Sequence, residues 1–265
     1  MRRPYLEHYV SPTVMPAIRT VEMDRPWFWL TEGWRDFVAA PGLSLTYGFV
    51  AAAIFAIISL LFSSQGLWHW AIAMTCGFFL IGPIMAVGLY EISRRREGEL
   101  KSTLKDSLHG WRRNIWATSS LGFMILVVLL TWFMTSFEMT ALFVADQGDM
   151  ARVFGGELDL PTFLTSITWP MVTAAIITGI LWLMLTFLLT AISVPFAADH
   201  EDVDFVTAVV VSVKAVLRNW RPMLLWAGLI MVFAGIGILP FYMGLIITFP
   251  LLGYATWHAY RDIIG

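Results

Sequence analysis

The chain has 265 residues, of which 58% are hydrophobic and only 14% charged, and its mean hydropathy is +0.72. That is too little polar surface to cover a soluble globule, so composition excludes a disordered chain and a nucleic-acid-binding domain, argues against a soluble enzyme, and points to an integral membrane protein in contact with lipids. The net charge of -2 calls for no polyanionic partner, and Cys76, the one cysteine, leaves no disulfide within the chain and no Cys-x-x-Cys metal motif.

Residues 1–26 are polar, contain Pro4, Pro12, Pro16 and Pro26, and hold no apolar run resembling a signal peptide. They read as an extended or disordered cytoplasmic tail. A spanning helix needs about 20 mostly apolar residues. Six stretches qualify, at 43–62, 67–90, 115–137, 168–197, 222–239 and 241–260. The expected fold is therefore all-α and polytopic, with six transmembrane helices in three hairpins. With six spans both termini share a side, and that side holds all 17 Lys and Arg except Arg152. Positive charge stays cytoplasmic, so both termini are expected there, in a bacterial inner membrane.

Each odd-numbered span follows a segment with helical apolar spacing. Trp27, Leu30, Trp34 and Phe37 form one stripe, and Leu100, Leu104, Leu108 and Trp111 a second. Val203, Val206, Val210 and Val213 form a third. This pattern predicts amphipathic helices lying at the cytoplasmic interface. The stripes end in related phrases: Gly33-Trp34-Arg35-Asp36, Trp111-Arg112-Arg113-Asn114 and Leu217-Arg218-Asn219-Trp220. We expect a membrane domain over 27–265 with a pseudo-threefold repeat at 27–96, 97–198 and 199–265. Trp34, Arg35, Trp111, Arg112, Arg113, Arg218, Trp220 and Arg221 are its expected interface anchors.

These phrases, with Pro41-Gly42 opening a span, Gly82-Pro83, Gly88-Leu89-Tyr90-Glu91, Arg94-Arg95-Arg96-Glu97 and Asn219-Trp220-Arg221-Pro222, resemble an uncharacterised family of bacterial integral membrane proteins built on a domain of unknown function. The resemblance covers roughly residues 27 to 263. Some members carry a cytochrome c oxidase subunit I label. That label implies several histidines within the spans as haem and copper ligands. Here His8, His109 and His200 lie in cytoplasmic segments, while His69 and His258 lie near opposite faces. No pair shares a helix at metal-ligand spacing, so the catalytic-subunit assignment is rejected.

Few residues are candidates for chemistry. Glu91 closes the second span one turn before Arg94 and Arg95, where ion pairing accounts for it, although ionisable groups in membranes are functional candidates by default. Glu138 ends the third span similarly. Asp199-His200-Glu201-Asp202-Val203-Asp204 is the densest polar cluster, read as a helix entry rather than a cation site. His258 is a further polar candidate. Pro83, Pro195 and Pro250 are expected helix kinks, with hinges for alternating access as the other option. Gly48, Ala52 and Ala56 form a small-residue seam suited to internal helix packing.

No acid, Lys or Arg lies in the middle of a span, and the known hydrolase and nucleotide motifs are missing from the sequence. No catalytic residue, cofactor or metal is expected. The leading assignment is a non-enzymatic accessory, assembly or scaffolding component of a respiratory or other bioenergetic membrane complex. The alternative is a small-molecule or lipid transporter, with a cavity lined by Thr75, Thr186, Thr190 and Thr248 as its signature.

Overall fold

The computed structural model describes residues 15–145 and 168–265. Arg2, Arg3, Pro4, His8, Pro12 and Arg152 lie outside them. Among the described residues every regular element is a helix. These are α1 (Arg25–Ala39), α2 (Pro41–Ser64), α3 (Trp68–Met85), α4 (Val87–Glu97), α5 (Leu104–Arg113) and α6 (Ile115–Ala145). They continue as α7 (Trp169–Thr190), α8 (Ser193–Asp199), α9 (Phe205–Arg218), α10 (Trp220–Ile238) and α11 (Leu245–Ile264).

Among the described residues, five helical stretches are long and apolar enough to cross a membrane: Pro41–Ser64, Trp70–Glu97, Ile115–Leu142, Trp169–Asp199 and Trp220–Ile238. Hydrocarbon offers the backbone no hydrogen bonds, so a helix, which satisfies its own, is the form these runs must take. The stretch expected at 241–260 differs from the others. Phe241 and Tyr242 have left-handed backbone, with φ of 52° and 65°, which cannot continue a right-handed helix. α11 therefore starts at Leu245, and its last two turns carry polar groups.

α11 is the centre of the molecule. It packs along α1 and α2, then against α10, α4 and α8. Tyr254, Ala255, Tyr260 and Ile263 on it are fully enclosed. Glycines let the neighbours approach. A Cβ on Gly33 of α1 would sit 2.8 Å from the Ala255 nitrogen. One on Gly48 of α2 would sit 2.1 Å from the Ile246 oxygen. That oxygen is the one left without its helical donor by Pro250, four residues on. The Gly48, Ala52 and Ala56 seam thus lies inside the bundle, with Ala52 buried.

The other two expected kinks mark breaks between helices. α3 ends two residues past Pro83, and α4 restarts after Ala86. α7 stops at Thr190, and Pro195 falls in the first turn of α8, where a missing N–H costs nothing. α11 runs unbroken through Pro250.

Besides α3–α4, joined through Ala86 in helical conformation, three helix pairs, α1–α2, α5–α6 and α9–α10, are each joined by a single residue outside helical conformation. Ala40, Asn114 and Asn219 hold these corners with similar backbone angles: φ/ψ of −132°/58°, −133°/76° and −110°/34°. The Asn114 amide donates to the carbonyls of His200 (2.8 Å) and Val203 (2.7 Å), just ahead of α9. Asn219 accepts from the Val21 N–H (2.9 Å) and donates to the Arg19 carbonyl (2.9 Å), just ahead of α1. Residues 15–22, without helix or strand, are pinned this way to the bundle.

The apolar stripes are used unequally. On α5, Leu104, Leu108 and Trp111 face outward, and the buried side is Ser107 and Gly110. On α1 the expected stripe is divided: Leu30 and Phe37 are buried, while Trp27 and Trp34 are exposed. The reason is that α1 turns Trp29, Gly33 and Asp36 toward α11, and the stripe straddles that contact.

Caps fix the entries of the short helices. Thr103 and Asp106 form a reciprocal capping box on α5, and Asp204 accepts from the Thr207 N–H at 2.9 Å on α9. Hydrogen bonds from Thr207 hold the Asp204 carboxyl below the usual carboxylate range. A carboxyl lowered in the folded state stabilises fully at neutral pH and loses its contribution as the pH falls through that lowered value. Asp204→Ala is expected to remove about 1 kcal/mol at neutral pH. Its difference from wild type should vanish in acid; a constant difference across the pH series would contradict the cap.

Candidate functional site

The polar groups gather where the last two turns of α11 meet α1, α4 and α8. Trp257, His258, Tyr260, Arg261 and Asp262 point to different sides of one helix. Such an arrangement is stable only if every side has a neighbour to receive it. α1, α4 and α8 are those neighbours.

Asp36 of α1 is the deepest charge, 2% exposed. Its carboxylate accepts from the Ser93 hydroxyl and the Arg96 guanidinium, both on α4, and lies 2.8 Å from His258 Nε2 of α11. One turn on, Glu97 accepts from Trp257 Nε1 at 2.8 Å and pairs with Arg261 at 3.2 Å. Asp199, ending α8, accepts from the Tyr260 hydroxyl at 2.7 Å and lies 3.7 Å from Arg261. Asp262 takes both arms of Arg25, at 2.7 and 2.8 Å, and the Trp29 indole N–H at 2.9 Å. The Arg25 charge is favoured further by that hydrogen bond.

Glu91 lies one turn from this hub and is buried. It holds Arg94 in a two-armed pair at 2.7 and 2.6 Å, and its Cβ is packed under Gly110 of α5. The His200 ring lies tilted at 54° against Phe196, with ring centroids 4.8 Å apart. Glu91, His200 and His258 thus engage different partners. Among the described residues no group of three or more His, Cys, Asp and Glu is placed to hold a metal ion.

The expected anchors are on the surface. Trp34, Trp220 and Trp111 are exposed, with Trp34 stacked on Phe37. Arg35 pairs with Glu32 one turn back. Arg113 reaches the Asp199 carbonyl at 3.1 Å and Glu201 at 3.8 Å. Arg221 lies 5.2 Å from the Trp220 ring. Arg112, Arg218 and Arg221 make no ion pair among the described residues.

Sequence reasoning missed Asp36, Ser93, Glu97, Tyr260 and Asp262. A signal was present: Trp257 to Asp262 places polar groups around the whole circumference of a helix, whereas a lipid-facing helix has none.

Two apolar clefts lie among the spans. The first, about 150 Å³, is lined by Phe78, Phe79, Thr186, Thr190, Trp226 and Phe249, among others. The second, about 580 Å³, lies between α3, α6 and α7 and is lined by Cys76, Trp132, Ser136, Met171 and Trp182, among others. Phe79, Ile180, Leu183 and Met231 border both. Of the threonines expected in a transport cavity, Thr186 and Thr190 reach the first cleft. Their hydroxyls donate to carbonyls of their own helix, at 2.8 and 2.7 Å. Thr75 instead bonds Tyr242, and Thr248 bonds the Gly244 carbonyl.

No curated protein and no solved structure matches the chain. Residues 71–199, from α3 to the end of α8, match the model of an uncharacterised membrane-protein family, described as predicted integral membrane protein (DUF2189).

Proposed function

We propose that this is a non-enzymatic, multi-pass protein of a bacterial inner membrane that acts as an accessory, assembly or scaffolding component of a membrane complex, respiratory or otherwise bioenergetic. The observation that carries it is the state of the ionic hub. Asp36 already accepts from three donors, Glu91 and Asp262 each hold an arginine by both arms, and Tyr260 is committed to Asp199. Groups so occupied brace helices; they are not poised to accept or deliver a proton to a substrate.

The same proposal takes α11 as a sixth span, enclosed by the others, and the three single-residue corners as support for the threefold repeat. Outward-facing Leu104, Leu108 and Trp111 support an interfacial helix, with the basic residues of the hub on the cytoplasmic side. Purification from native membranes in mild detergent tests it. A partner complex is expected to co-purify at constant ratio. Recovery of the protein alone, reproducibly, would overturn the assignment.

The clefts favour one other reading, a carrier of lipid or another small apolar molecule. Vesicles reconstituted with the pure protein and a fluorescent phospholipid separate the two. The accessory assignment expects no protein-dependent movement of the label between leaflets; movement above protein-free vesicles would favour the carrier.

A further inference from the structure

α5 is a helix with four distinct sides, which follow one another by quarter turns at about 100° per residue. Ser107 and Gly110 are buried, and a Cβ on Gly110 would meet Glu91 of α4 at 2.9 Å. About a quarter turn round stand Leu104, Leu108 and Trp111, left 47%, 54% and 37% exposed. Another quarter turn brings Lys105 and Arg112, both exposed and in no ion pair among the described residues. Asp106 and Arg113 take the fourth side, and both are engaged. Asp106 caps the helix and lies 3.5 Å from Arg95, while Arg113 reaches the Asp199 carbonyl. Asn114 alone then separates α5 from α6, whose first residues, Ile115 and Trp116, are exposed and open a spanning stretch.

We infer that α5 docks on anionic phospholipid, with Leu104, Leu108 and Trp111 seated at the headgroup boundary and Lys105 and Arg112 beside them on the lipid phosphates. This deepens the reading of α5 as an interfacial helix and rests on it, but not on any partner complex. The occupant follows from what borders the stripe. In the chain the stripe leads into the exposed apolar start of a span, a surface that lipid covers. Trp111 and Trp116 stand at that junction, and indole rings gather at the headgroup level of membranes. Charge then chooses among lipids. The charges beside the stripe are both positive and free of ionic partners. The single acid of the helix, Asp106, lies about half a turn from the stripe, where it does not repel a phosphate. A helix resting on a zwitterionic surface needs no such sorting. A basic side chain at an anionic leaflet favours its lipids by about fivefold, an effect that fades within a Debye length.

The test uses the full chain with Cys76→Ser and Leu108→Cys, the new thiol carrying bimane, in nanodiscs of phosphatidylcholine and phosphatidylglycerol. A trace of one lipid or the other bears a nitroxide high on its acyl chain, so that quenching reports which lipid lies beside residue 108. Both lipids are expected to quench, phosphatidylglycerol by about fivefold or more per molecule. Adding Lys105→Gln and Arg112→Gln, both exposed changes, is expected to remove that excess and leave quenching by phosphatidylcholine unchanged. The same loss is expected in 1 M salt, where charges are screened beyond about 3 Å. Quenching by neither lipid would put α5 under protein or in water, and would overturn the inference together with the interfacial reading. Equal quenching by the two lipids, or an excess unchanged in the double variant, would overturn the inference and leave that reading standing. Should the labelled Leu108→Cys chain not fold, Leu104→Cys, on the same side of α5, carries the label instead.

Discussion

Asp36→Ala is expected to lower the stability of the bundle by about 3–5 kcal/mol, the cost of removing one partner from a buried charge pair. His258 and Ser93 would lose a buried acceptor, and Arg96 its counter-charge. Asp36→Asn keeps a carbonyl oxygen for one of these donors but no charge opposite Arg96, so its loss should be smaller. Changing His258 to Phe in the Asp36→Ala background should recover part of the loss, because Arg96 is exposed enough to turn to water and the remaining hole is then lined by carbon. Reversible unfolding in mixed detergent micelles reads all three. A change of under 1 kcal/mol in Asp36→Ala would mean that the hub does not brace the helices, and the scaffold assignment would lose its support.

The second large effect is expected at Gly48. Its added Cβ would lie 2.1 Å from the Ile246 oxygen and 2.5 Å from the Ile246 carbonyl carbon, both backbone atoms that cannot rotate aside. α2 would have to withdraw from α11 along its length. Gly48→Ala should cost about 3 kcal/mol, the upper end for overpacking, and Gly48→Val more. Gly42→Ala, on the same helix with nothing within 4 Å of the added atom, is the control. It should be neutral or stabilising, by up to about 1 kcal/mol. Equal effects at Gly42 and Gly48 would show that helix propensity, not contact with α11, governs both.

Much of the fold was legible because membrane insertion imposes one coarse demand, length of apolar run, and α2, α3, α6, α7 and α10 meet it openly. What could not be read was which helix the others surround. α11 is less apolar than the spans around it, and its central place depends on Gly33 and Gly48, which meet Ala255 and Ile246, 222 and 198 positions on. Periodicity has no access to such pairings. The breaks at Ala86 and Ala191 were foreshadowed by Pro83 and Pro195, but proline marks a weak point without fixing on which side of it the helix stops.

The site was less legible for the same reason. Asp36 stood within a phrase used to trace the repeat and the family resemblance, and its histidine partner lies 222 positions on. Asn114 and Asn219 also belonged to those phrases. Their clamps on the segments ahead of α9 and α1 emerge only when the chain is closed on itself.

That closure sets an order of events during synthesis. α1 and α2 leave the ribosome long before α11 exists, so Gly33 and Gly48 first face lipid or another protein, and Asp36 must wait for His258. Membrane helices insert first and associate afterwards, and here α1 and α2 cannot reach their final packing until α11 arrives. The late helix gains in turn: its polar turns enter a groove already lined with acceptors and donors. Any stop in translation before residue 245 would therefore leave inserted helices with an open groove at their centre, the form a membrane quality-control protease is suited to recognise.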